Sequence, residues 1–81
     1  MSKKDKLKNK LLSGSDFTWQ ELVTLLKFLG FEEIQGSGSR VKFDNGIAEH
    51  MINLHKPHPG NHLKRYAIKQ IIVKLREVDL L

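Results

Sequence analysis

The stretch Asn53-Leu54-His55-Lys56-Pro57-His58-Pro59 places two imidazoles beside a lysine in a segment that two prolines stiffen. Histidine is the side-chain type whose ordinary pKa, about 6.5, lets it accept or donate a proton near neutrality. A proline ring fixes its own φ, which narrows the conformations open to the rings around Pro57 and Pro59. Held imidazoles next to a cation suit proton transfer on a phosphodiester. They also occur in ordinary surface loops, so the reading turns on the elements that position them.

Those elements are legible in the periodicity. Lys3 to Leu12 carries Leu7 and Leu11 one helical turn apart among lysines at 3, 4, 6, 8 and 10, which reads as a short docked helix or a solvated basic tail. Ser13-Gly14-Ser15-Asp16 then breaks the pattern as a linker. Thr18 followed by Glu21 is a capping box, and Phe17 before it can staple onto Leu22. Leu22, Val23, Leu25, Leu26 and Leu29 form the apolar stripe of a core-facing helix, and Gly30 ends it in the left-handed conformation that costs glycine little. Trp19, an aromatic beside this much leucine, reads as core more readily than as a base-stacking platform.

After Gly30 the period becomes two. Phe31 to Gln35 and Ser39 to Phe43 read as strands joined by Gly36-Ser37-Gly38, with Val41 and Phe43 facing one way and Arg40 and Lys42 the other. Asp44-Asn45-Gly46 predicts a type I′ hairpin turn. A third strand is then expected from Ile47 to about His55, with Ile52 and Leu54 on one face and Met51, Asn53 and His55 on the other. If Ile52 and Leu54 share the core face with Val41 and Phe43, His55 falls beside Arg40 and Lys42. Pro59-Gly60-Asn61 turns the chain into a last helix with Asn61 as N-cap. Its buried stripe is Ile68, Ile71, Ile72, Leu75 and Val78, leaving Lys64, Arg65, Lys69, Lys74 and Arg76 outside.

The fold class that follows is α+β: a three-stranded antiparallel sheet with helices packed on one face, in the order ααβββα. Residues 1–81 read as one domain, with 1–15 a basic N-terminal helix or tail plus linker. A chain of 81 residues buries about 60% of the surface its unfolded form exposes, so the core is thin. With no cysteine, thiolate metal sites and cysteine nucleophiles are excluded. The net charge of +5 favours a polyanionic partner such as nucleic acid or an acidic protein. No apolar run approaches the ~20 residues of a membrane span, and the short Leu11-Leu12 pair is no signal-peptide core. A cytoplasmic protein without a membrane partner is expected.

Gly36-Ser37-Gly38-Ser39-Arg40 opening a strand, then His55-Lys56-Pro57-His58-Pro59, then Leu63-Lys64-Arg65-Tyr66-Ala67-Ile68-Lys69-Gln70-Ile71 entering a helix, together resemble the HicA family of toxins. The similarity spans Thr18 to Leu81 and rests on the order of several short motifs. It implies a fold like a double-stranded RNA-binding domain, and an endoribonuclease that cleaves mRNA without a metal and is silenced by a HicB-type antitoxin. The most familiar members carry a catalytic histidine directly after the Gly-Ser of the second strand. Arg40 stands at that position here, so that role does not transfer. A branch of the family resembles this chain in pairing Gly-Ser-Arg with a His-Arg-Pro-His-Pro type segment.

Cleaving RNA through its 2′-hydroxyl needs a base, an acid for the leaving 5′-oxygen, and positive charge on the phosphorane. His55 is the candidate base or acid, His58 a shared or supporting group, and Arg40 the phosphate ligand, since its planar fork binds oxyanions bidentately. Ser39 and Lys42 flank the same site, and Lys56, Lys64, Arg65 and Lys69 extend a basic track for backbone contacts. Each has an ordinary alternative. His55 can bond a loop carbonyl, His58 can order its turn, and Arg40 can pair with Glu33 or Asp44. His50 and His62 read as surface or capping residues. A zinc site on His55 and His58 with Glu49, His50 or His62 lacks the helical HExxH spacing, so no metal, cofactor or small-molecule ligand is expected. The glycine-serine run precedes a strand rather than a helix, so the phosphate-cradle analogy fails. Two further functions stay open: a non-catalytic RNA-binding module of the same fold, and a domain whose basic face meets an acidic protein.

Overall fold

The structure is a computed structural model that describes residues 2–58 and 60–81. Three helices, α1 (Lys3–Leu12), α2 (Trp19–Phe28) and α3 (Arg65–Glu77), accompany three strands, β1 (Glu32–Gln35), β2 (Arg40–Asp44) and β3 (Ile52–His55). The order is the expected ααβββα, and the antiparallel sheet runs β1-β2-β3.

Alternation along β2 buries Val41 and Phe43 and exposes Arg40 and Lys42. On the buried side these two meet Ile52 of β3 and a single cluster that includes Phe17, Trp19, Leu22, Leu25 and Leu26 from the α2 region, with Ile71 and Leu75 of α3. Trp19 is core, its ring 5.7 Å from that of Phe43. Leu7 and Leu11 of α1 belong to the same cluster, and burying two leucines stabilises by about 1.5–3 kcal/mol each. The helices therefore cover one face of the sheet and leave the other open.

The start of α2 is fully capped. Thr18 Oγ1 accepts from the Glu21 amide at 3.1 Å, and Glu21 Oε1 accepts from the Thr18 amide at 3.0 Å. Lys10 of α1 adds an ion pair to Glu21. Burial pushes the Glu21 carboxyl up, but the hydrogen bond from Lys10, those of the Thr18 amide and hydroxyl, and the Lys10 charge together hold it below its ordinary range. Gly30, at φ +94°, stops the helix as its sequence predicts.

Several boundaries differ from the sequence expectation. The third strand starts at Ile52, because residues 47–51 coil through a 3-10 turn at Ala48–His50. Asp44 Oδ1 accepts from the Gly46 amide at 2.9 Å and Asn45 Oδ1 from that of Ile47 at 3.1 Å, so side chains organise this bend. Only Gly46 there has positive φ, whereas a type I′ turn needs it at two residues. Lys74, expected outside, is half-buried and donates to the Glu49 carbonyl at 2.7 Å, tying α3 to the bend.

Asn61 is not the cap of the last helix. Its carbonyl accepts from the Trp19 amide at 2.7 Å, the Leu63 amide donates to the Phe17 carbonyl at 2.9 Å, and Thr18 and His62 form an antiparallel bridge. A backbone extended along residues 17–19 cannot also begin a helical turn, so α3 starts at Arg65 with Lys64 as N-cap and no side-chain cap bond. The contribution expected from Pro59 lies outside the described residues. The remaining two strands begin one residue later than predicted, at Glu32 and Arg40.

Candidate nucleic-acid interface

The sheet register decides which functional side chains meet. Arg40 lies directly across from His55, and Lys42 from Asn53, while the alternate pairs Val41 with Leu54 and Phe43 with Ile52 face the helices. Arg40, Lys42, Asn53 and His55 are all exposed. They line one open groove of about 490 Å³ together with Gly36 and Ser37 of the β1–β2 turn. Directly opposed residues in an antiparallel pair have Cβ atoms about 4.5–5.5 Å apart, so the guanidinium and imidazole are anchored as neighbours.

The turn itself braces both. The Gly36 amide donates to the Arg40 carbonyl at 2.8 Å. A Cβ at Gly36 would stand 3.1 Å from that carbonyl oxygen, so the approach favours glycine. The Lys56 amide donates to the Ser39 carbonyl at 2.7 Å, which extends the strand pairing one step past His55. Ser39 Oγ lies 3.3 Å from His55 Nδ1. When Nδ1 carries the proton and donates to Ser39 Oγ, Nε2 is the free basic nitrogen; when the hydroxyl donates, Nε2 carries the proton. Either way the contact turns Nε2 away from the serine.

His58 lines a second depression of about 230 Å³, which His55, Lys56 and Lys64 also line. His55 therefore stands where the two depressions meet. Neither lining contains an aspartate or glutamate, and among the described residues the one ion pair is Lys10 with Glu21. Arg40 thus pairs with neither Glu33 nor Asp44. A surface bearing Arg40, Lys42, Lys56 and Lys64 around two imidazoles, with no facing carboxylate, attracts an anion.

Arg65 and Lys69 lie apart from these groups. They line a separate groove between α1 and α3 of about 280 Å³. His50 also sits elsewhere, half-buried, its Nδ1 3.0 Å from Asn45 Nδ2. Among the described residues, no group of three or more His, Asp or Glu side chains is placed to hold a metal ion. Two lining residues were not read as members of the site, His62, read as a surface or capping residue, and Tyr66; both share the depression with His58. His62 arrives there through its bridge to Thr18, a long-range pairing with no local signal. Tyr66, an aromatic on the charged side of a helical pattern, was the visible clue.

No described helix is long and apolar enough to cross a membrane. A family model described as HicA toxin of bacterial toxin-antitoxin matches residues 19–80. Compared with curated proteins and with solved structures, the chain has no match.

Proposed function

The chain belongs to the HicA toxin family of bacterial toxin-antitoxin systems, and from that premise we propose that it is a metal-independent endoribonuclease that cleaves mRNA in the cytoplasm and is neutralised by a HicB-type antitoxin. The observation that carries the reading is the cross-strand placement of Arg40 and His55 on the open face, with Ser39 on His55 Nδ1. Where familiar family members carry a histidine, this chain carries Arg40, and the strand pairing supplies an imidazole directly across from it.

In the proposed reaction one of the two histidines takes the proton from the ribose 2′-oxygen. That oxygen attacks phosphorus, the bond from phosphorus to the 5′-oxygen breaks, and the other histidine protonates the leaving oxygen. The products are a cyclic phosphate end and a free 5′-hydroxyl. Arg40 neutralises the charge that develops on the phosphorane, a contribution that is often the largest single one. Lys42 holds a neighbouring phosphate in the groove, and Lys56 and Lys64 hold another beside His58. Each proton transfer contributes about 10²- to 10⁴-fold.

The test is incubation of the folded, antitoxin-free protein with mRNA in excess chelator. Products ending in cyclic phosphate are expected, and Arg40→Gln lowers the rate by about 10²- to 10³-fold, the scale for losing one donor to a developing oxyanion. Intact RNA under those conditions overturns the enzyme reading. RNA bound but uncut would make the chain an RNA-binding module, the reading that Arg40 at the family's histidine position favours.

A further inference from the structure

Helix α1 lies before the stretch that the family model covers, yet it carries five of the chain's 14 lysine and arginine residues. Leu7 and Leu11 are committed to the core; the lysines are not all equivalent. Around a helix of 3.6 residues per turn, positions 4, 8 and 12 share one side and positions 3, 6 and 10 another. Lys10 pairs with Glu21, so the second side faces α2. Leu12 lines the α1–α3 groove opposite Arg65 and Lys69, and helix geometry continues its side of α1 beyond the groove lining to Lys8 and Lys4.

This groove connects to the histidines. Leu63 lines both it and the depression that holds His55 and His58. From His58 the surface therefore runs past Lys64, over Leu63, between Arg65 and Lys69, and on to Lys8 and Lys4. The groove floor is apolar, with Leu12, Ile68 and Ile72. Asp16 in the lining and Asp5 on α1 are the opposing charges along the way.

We infer that the α1–α3 groove is a second RNA-binding surface, which holds the single strand on one side of the cleaved phosphate, its phosphates on Lys4, Lys8, Arg65 and Lys69 and a base against the apolar floor. The inference rests on the RNA reading above. Four cations on two facing helices match a polyanion, and eight residues of helix at 1.5 Å each set Lys4 about 12 Å from Leu12, the scale of a strand rather than a single ion. A bilayer fits less well. A basic amphipathic helix binds membranes through its apolar face, and Leu7 and Leu11 are buried in the core, at 8% and 1% exposure.

The test is equilibrium binding of a long 2′-O-methyl single-stranded RNA, which cannot be cut through its 2′-oxygen, over a range of salt. Lys4→Gln/Lys8→Gln is expected to flatten the slope of log K against log salt by about 1.4, from about 0.7 per phosphate contact on a single strand, for every RNA sequence tried. Lys3→Gln/Lys6→Gln, which removes equal charge from the other side of the same helix, leaves the slope unchanged, and Lys4→Arg/Lys8→Arg restores it. Equal flattening by both glutamine pairs, or by neither, overturns the inference, as does preference of the wild type for phosphatidylserine vesicles over RNA. Wild type that binds with this slope pattern but leaves unmodified RNA intact sinks the enzyme reading alone. Wild type that binds no RNA sinks both.

Discussion

Lys10 and Arg40 are both cations at the edge of an element, and the fold treats them differently. Lys10 meets a carboxylate, and that carboxylate is itself engaged by the Thr18 amide and hydroxyl. Arg40 meets no carboxylate among the described residues, although the backbone around it is held by Gly36 and by the β2–β3 ladder. At the seam of α1 and α2, polar groups complete each other and fix the fold. At the edge shared by Arg40 and His55, the backbone is fixed, Ser39 orients the imidazole, and no carboxylate among the described residues pairs with the guanidinium. Stability and the proposed chemistry thus fall in different places, and substitutions in the two regions are expected to separate them.

The largest effect is expected from His55→Ala. If the histidine transfers a proton, cleavage falls by about 10²- to 10⁴-fold, while the melting transition moves little, because an exposed side chain outside the core changes stability by about 0.5 kcal/mol or less. A fall in both together would erase the contrast between the regions. Leu11→Ala is the reciprocal experiment. Leu11 is 1% exposed in the core, and truncating a buried leucine costs about 2–5 kcal/mol, read as a shift in the denaturant midpoint. At temperatures where the variant stays folded, cleavage of a short RNA that reaches only the histidine groove should match wild type.

The smallest effect is the acid response of the seam. Glu21 is held below its ordinary value of 4.5 when folded, so the folded state favours its ionised form. The stability this gives is present above the ordinary value and is lost as pH falls through the lowered folded value. Glu21→Gln should remove that part of the acid dependence of unfolding, with the difference between variant and wild type vanishing at the lowest pH. An unchanged difference across the range would mean that the capping geometry, not the charge, is what Glu21 contributes.

Much of this architecture is legible in the sequence because its signals are local. Thr18 and Glu21 announce a helix start, and Val41 and Phe43 set a parity that, carried to Ile52 and Leu54, places His55 beside Arg40. That parity survives the error in where the third strand begins, because the bend at 47–51 lies before Ile52 and shifts nothing after it. The misses come from two other physical sources. At Asp44 and Asn45 the side chains compete with the backbone for its own amides, and the pattern of residue types does not say which wins. At Asn61 the winning partner is Trp19, remote in the chain, and no local preference reports it. His62 stayed outside the predicted site for that reason, and the groove that Arg65 and Lys69 share with α1 went unforeseen because a helix wheel shows a charged side without showing what lies across from it.

The pairing of residues 61–63 with 17–19 has a consequence for the order in which the protein comes together. Closing a flexible loop costs more entropy the longer the loop, and short-range contacts accordingly tend to form first. Ser39 and His55, 16 positions apart, meet across the neighbouring strands β2 and β3, whereas the clasp from Asn61 and Leu63 to Trp19 and Phe17 must close over the whole sheet. The groups proposed to act on RNA are therefore brought together early and cheaply, and the clasp that seats α3 on the core is the late event, so the finished site waits on the last part of the chain to be made.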